Sequence, residues 1–248
     1  MGKTTKYHHV IQVAGLDLPV DITIERRNGA RYGITGKRIT LRLPIGVEKE
    51  ELWRHIGELQ AWVDQTFVKK PKLREYFAPA IWQTGDMLVV GIRTYTLLFT
   101  TAPQATSTAR IQGNTILLNL NEGLTVTARS KTIKTLLSRT VARDFSPEIT
   151  RRVLDWNERT VRRPIKSVNL KYNHSNWGSC SSKSNINLST RLLFAPEEVQ
   201  DYVILHELAH LVEPNHSDRF WALVEKYMPD YQQKEAWLKQ NRDVCDFR

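Results

Sequence analysis

Cysteine is scarce: Cys180 and Cys245 are the only two in 248 residues. Two thiols provide neither a disulfide scaffold nor a cysteine-based zinc site, and a reduced compartment is the simpler reading. Long hydrophobic runs are missing too. No stretch of about 18 apolar residues occurs, and the opening MGKTTKYHHV has no apolar core of signal-peptide length. The expectation is a soluble, cytoplasmic protein with no membrane partner. Acidic residues are in deficit, 26 against 36 Lys and Arg, for a net charge of +10. That balance suits an anionic partner, nucleic acid among them. The basic residues are nevertheless spread in short groups such as Lys69-Lys70, Arg151-Arg152 and Arg162-Arg163, and charged surfaces also serve solubility. No repeat and no low-complexity tract is visible. Apolar residues make up 41%, enough for a core in one large domain or two small ones.

Periodicity divides the chain. Ile11, Val13, Val20, Ile22 and Ile24 alternate with polar neighbours, as do Ile39, Leu41 and Leu43, which predicts strands. Asn28-Gly29, Gly33 and Gly36 read as turns. Leu52, Ile56, Leu59, Trp62, Val63 and Phe67 recur at helical spacing, predicting a helix over 48–70. Strands follow at 87–90, 95–99 and 115–120. Ile133, Leu136, Leu137 and Val141 share a helical face, and Ser146-Pro147-Glu148 reads as a fresh helix start. Val168, Leu170 and Tyr172 predict one more strand, and the alternation from Ile186 to Phe194 another. The expected fold is α+β, with a β-rich N-terminal region carrying one long helix over 1–125 and a catalytic region over 126–248.

The chemistry concentrates in residues 196–228. Pro196 suits the first helical position, Glu197 and Glu198 suit the positive end of the helix dipole, and an apolar face runs on to His206. His206 and His210 are four residues apart, so a helix places both imidazoles on one face. Glu207 lies beside them in an H-E-x-x-H pattern, the arrangement of zinc peptidases. Pro214 stops the helix, His216 follows the turn and can return as a third ligand, and Ser217 can cap the next helix. Three imidazoles leave one zinc position open for water, with Glu207 placed to take its proton. Nickel, cobalt or manganese are also compatible with three imidazoles. Three structural histidines, or a purely structural zinc, are the plainer alternatives. The strand at 186–194, if it lies at a sheet edge, could pair with an extended peptide.

Three further stretches carry a resemblance: Trp177-Gly178-Ser179-Cys180-Ser181; Asn187 to Pro196; and Tyr202-Val203 with HELAHL (206–211), Asn215-His216-Ser217 and Phe220-Trp221. With Met228 to Tyr231 and Trp237-Leu238, they resemble the YgjP-like metallopeptidase family from about residue 8 to 240, most strongly from 164 onward. The resemblance implies a zincin-like domain with His206, His210 and His216 as metal ligands and Glu207 as the catalytic residue. A looser likeness reaches the SprT-like proteases, which act on DNA-bound proteins. The stretch Lys171 to Asn176 departs from the family pattern and puts substrate preference in doubt.

Read physically, Gly178 permits a tight turn beside Trp177, and Cys180 reads as a small buried hydrophobe rather than a zinc-blocking switch. His174 reads as a surface loop residue. Tyr227 or Tyr231 could stabilise an oxyanion, though Tyr227 sits at core spacing with Phe220, Leu223 and Val224. The expectation is a zinc-dependent metallopeptidase acting on protein or peptide substrates. The alternatives are a DNA-associated protease and a non-catalytic zinc-containing binding module.

Overall fold

The computed structural model describes residues 4–35, 38–78, 81–242 and 244–247. The chain forms two compact units, Met1–Pro79 and Ala80–Arg248. No described helix is long and apolar enough to cross a membrane.

The first unit is a four-stranded sheet with a helix on one face. Strands β1 (Thr5–Val13), β2 (Leu16–Glu25), β3 (Arg31–Thr35) and β4 (Arg38–Pro44) lie in the order β1-β2-β4-β3. The β1–β2 hairpin turns through Ala14 and Gly15, both at positive φ. Helix α1 (Lys49–Lys69) buries Ile56, Leu59, Val63 and Phe67 against Val20, Ile39, Leu41 and Leu43. These are the apolar positions whose spacing predicted the elements. A short helix, α2 (Pro71–Phe77), follows. Strand β3 replaces an expected turn. Gly33 lies inside it, where an added Cβ would come within 2.9 Å of Thr40 Oγ1 on β4. The residue is therefore small because two strands approach closely, not because the chain reverses there. Gly36 lies outside the described residues.

The second unit begins with the same topology. Strands β5 (Met87–Val90), β6 (Arg93–Ala102), β7 (Thr108–Gln112) and β8 (Thr115–Asn121) are ordered β5-β6-β8-β7, with β6 and β8 parallel as β2 and β4 are. A helix again follows, α3 (Val126–Arg159). Four of the five elements start 77 residues after their counterparts, Leu16 and Arg93, Arg31 and Thr108, Arg38 and Thr115, Lys49 and Val126, and β1 and β5 end at that offset, at Val13 and Val90. The ladder register matches as well, with Val20 opposite Ile39 and Leu97 opposite Ile116. Core positions pair off at the same offset, Leu41 with Leu118, Leu43 with Leu120 and Ile56 with Ile133. The chain thus contains an internal ββββα repeat, contrary to the expectation of none.

Helix α3 runs unbroken through Pro147, where a new helix start was expected. Phe145, Ile149 and Val153 are buried on both sides of the proline, so packing carries the helix across one missing N–H. The division expected between residues 125 and 126 falls inside this unit. The strands β5–β8 share one core with α3 and with everything that follows it.

A three-stranded sheet completes the unit, with β9 (Ser167–Lys171), β10 (Gly178–Cys180) and β11 (Asn185–Ser189) ordered β10-β11-β9. The expected strand over 186–194 is shorter. It ends at Ser189, whose side chain caps a 3-10 turn over Thr190–Phe194. Strand β11 is also central, flanked on both sides, so it presents no free edge to a peptide. Helices α4 (Glu197–Ala209), α5 (Asp218–Tyr227) and α6 (Tyr231–Gln240) close the chain.

Candidate metal centre

Helix α4 presents its apolar residues to the core, with Val199, Val203, Ile204, Leu205 and Leu208 all buried. That packing fixes the helix rotation. His206 and His210 then share the face toward α5. The chain leaves α4 at His210, and Ser217 starts α5 by accepting the Phe220 N–H at 3.4 Å. This turn brings His216 back over the helix.

One nitrogen from each of His206, His210 and His216 lies within 4.8 Å of the other two. The Nε2 atoms of His206 and His216 face each other at 3.0 Å. Two nitrogens on one tetrahedral zinc stand about 3.3 Å apart, from bonds of roughly 2.0–2.1 Å. His210 donates from Nδ1 to the Glu213 carbonyl at 3.2 Å, which leaves its Nε2 lone pair free to ligate. His206 Nδ1 is buried and has no hydrogen-bond partner. Burial, then the two neighbouring imidazoles, push the His206 pKa down to about 3, and burial lowers that of His210. The His206 and His210 rings are thus held neutral, the form in which imidazole binds a metal. The donor set fits a divalent transition metal.

Phe220 forms the floor. It is fully buried, and its ring centroid is 4.9, 4.6 and 4.8 Å from those of His206, His210 and His216. Trp221 stacks on His216, and Tyr231 stacks on Trp221 at 5.2 Å. Read from sequence, Phe220 and Trp221 were anchors between helices. They also orient the imidazoles.

Glu207 is 5% exposed and lies beneath β10. A Cβ on Gly178 would fall 2.6 Å from Glu207 Oε1 and 2.7 Å from its Cγ. The glycine is therefore required by the close approach of a carboxylate and not by a tight turn. The Cys180 backbone N–H donates to the Glu207 carboxylate. Burial pushes the Glu207 pKa up to about 8, with the Cys180 bond opposing. Sequence reasoning assigned Glu207 but missed these two supports. The only available signal was an unexplained glycine next to a tryptophan.

The remaining candidates separate. Tyr227 donates to the Thr160 carbonyl at 3.1 Å and holds the end of α3. Tyr231 stays in the aromatic stack beside the imidazoles. His174 lies in the loop after β9 and is exposed, apart from the histidine cluster. The Cys180 thiol is half-buried, and burial and the Glu207 charge push its pKa up. A thiol so raised stays protonated and is a poor metal ligand.

No curated protein matches the chain. Two solved structures do, both metallopeptidase zymogens. Jannalysin of Methanocaldococcus jannaschii is 22% identical over 38% of this chain and 95% of its own, with a TM-score of 0.35. Abylysin of Pyrococcus abyssi is 27% identical over 36% of this chain and 93% of its own, with a TM-score of 0.32. The family model described as the YgjP-like metallopeptidase domain matches residues 31–241. That match spans most of the sequence and includes every residue of the histidine cluster, and the chain belongs to the YgjP-like metallopeptidase family.

Proposed function

We propose that the protein is a zinc-dependent peptidase in which His206, His210 and His216 hold the metal and Glu207 is the general base. The observation that carries this is the convergence of three imidazoles beside a buried carboxylate. Zinc bound there would polarise a peptide carbonyl and acidify a water molecule. Glu207 takes the proton from the attacking water and returns it to the leaving amine nitrogen. A cation nearby favours the ionised carboxylate and draws its pKa down from the value burial alone imposes. All these groups lie in the expected catalytic stretch, residues 126–248.

The substrate backbone pairs with β10 rather than β11. The Trp177 carbonyl and the Ser181 N–H bond toward β11, so the backbone groups of Gly178 and Cys180 face the open edge. The Cys180 N–H goes to Glu207, which leaves the Gly178 N–H and C=O for an extended peptide. In a substrate series scanned with proline, cleavage should fail at the one subsite that donates to Gly178. Uniform tolerance of proline would remove the pairing. The test of the whole assignment is metal analysis with cleavage profiling of wild type and Glu207→Gln. The variant should bind metal at the wild-type stoichiometry and lose turnover. Identical cleavage by both proteins would end the peptidase reading.

A further inference from the structure

A groove of ≈ 1170 Å³ in the second unit runs between α3 and β9 on the sheet edge opposite β10. Its lining includes no acidic residue. Lys131, Arg139 and Arg143 enter it from α3, and Lys171 from β9. All four are exposed, and among the described residues none forms an ion pair. Lys134, also in the lining, is neutralised by Asp246 at 2.5 Å. The peptidase reaction uses none of these side chains.

Arg139 and Arg143 are one helical turn apart, about 6 Å along the axis, and Lys131 lies about 12 Å further back. Such a row of cations on a groove wall matches a chain of evenly spaced negative charges. The groove floor adds the side-chain amides of Asn169 and Asn187, linked to each other at 3.3 Å. Asn187 sits in ladder register between Asn169 and Ser179, so this sheet face is polar throughout. Two aromatic rings line it: Tyr172 is half-buried, with its hydroxyl donating to Asp246, and His174 is exposed. The wall therefore grips a charged backbone, with His174 as the exposed ring beside it. An exposed ring can stack on an unpaired base, which a single strand offers and a duplex does not.

We propose that this groove binds the phosphodiester backbone of single-stranded nucleic acid without regard to sequence. The inference goes beyond the peptidase assignment and holds whether or not the metal centre cleaves anything. The test is fluorescence anisotropy with a labelled oligothymidylate and the full-length protein. The groove variant combines Lys131→Gln, Arg139→Gln, Arg143→Gln and Lys171→Gln. A charge-matched control carries Lys6→Gln, Arg26→Gln, Arg31→Gln and Arg38→Gln in the first unit. At about 50 mM salt the groove variant should lose affinity on the order of 10²-fold, and its salt slope should flatten by about 3, from four contacts at roughly 0.7 each. The control should bind like wild type. The single reversal Arg143→Glu should weaken binding in the same direction without depending on a fourfold substitution. Equal losses in the groove variant and the control would reduce the effect to net charge and overturn the proposal. So would tighter binding of the matching duplex, or equally strong competition by polyglutamate at matched charge.

Discussion

Gly178 and Glu207 are 29 positions apart in sequence, from 178 to 207, yet their atoms leave no room for a methyl group. Gly178→Ala should displace the carboxylate while leaving the three imidazoles in place. Metal stoichiometry should stay at the wild-type value and kcat should fall by roughly 10²-fold, the usual cost of misplacing a reacting group by about 1 Å. A fully active Gly178→Ala protein would show that the contact does not position Glu207. The same carboxylate sets a pH dependence in the metal-free protein. Its folded pKa, about 8, lies above the 4.5 of an ordinary glutamate. Its contribution to stability is complete below about 4.5 and is lost as pH rises through about 8. His206 works in the other sense. Its folded pKa is about 3 against 6.5, so its contribution is complete above about 6.5 and is lost as pH falls toward 3. Glu207→Gln removes only the first effect. In chelator, its Tm should exceed that of wild type at pH about 9 and match it near pH 4.5. A Tm difference that does not change with pH would disprove the buried-charge account. His206, Glu207 and His210 were legible because their spacing on one helix is itself the signal, and His216 because it follows the turn that ends that helix. Gly178 was not, because no local period reports what a distant strand will lean against.

At the scale of elements, the sequence disclosed those with a two-sided pattern. Ile39, Leu41 and Leu43 on β4, and Ile56, Leu59 and Val63 on α1, alternate or recur because one face is buried and the other wet. The missed strands β3, β7 and β10 each border a sheet. β7 has only Ala109 and Ile111 facing the core, both partly buried, and β10 is three residues long. Such strands form because a neighbour offers its hydrogen bonds, and their own residues carry little period. Helix α3 errs the other way. Ser146-Pro147-Glu148 has the grammar of a helix start, and burial of Phe145, Ile149 and Val153 overrides it. Pro147 itself is exposed, so replacing it loses no packing. Pro147→Ala restores an N–H to the Arg143 carbonyl and should stabilise the protein by roughly 1–3 kcal/mol, read from denaturant unfolding. Destabilisation would mean the proline sets a bend that α3 needs.

At the scale of the whole molecule, the repeat explains why the boundary expected at 125/126 is a poor place to cut. The sequence hid the repeat because it survives mainly in apolar core positions and a few glycines, such as Gly46 and Gly123. Many aliphatic residues can fill such positions. The first copy closes its own core with α1, from Ile11 to Phe67. The second copy does not close on α3 alone. Leu88, Val90, Leu97, Ile116 and Leu118 belong to the same buried cluster as Ile204, Leu205 and Leu208 of α4 and Phe220 beneath the imidazoles. Strands β5–β8 are thus part of the foundation of the histidine cluster, and a fragment starting at residue 126 leaves that foundation exposed to water. Each fully buried Leu or Ile so uncovered forfeits about 1.5–3 kcal/mol, which several residues together raise beyond the usual stability of a domain. Residues 80–248 should therefore unfold cooperatively and bind metal at full stoichiometry, and residues 1–79 should melt as a separate domain. Residues 126–248 should show no cooperative transition in denaturant and no stoichiometric metal binding. A folded, metal-loaded 126–248 fragment would show that the histidine centre stands without the second copy of the repeat.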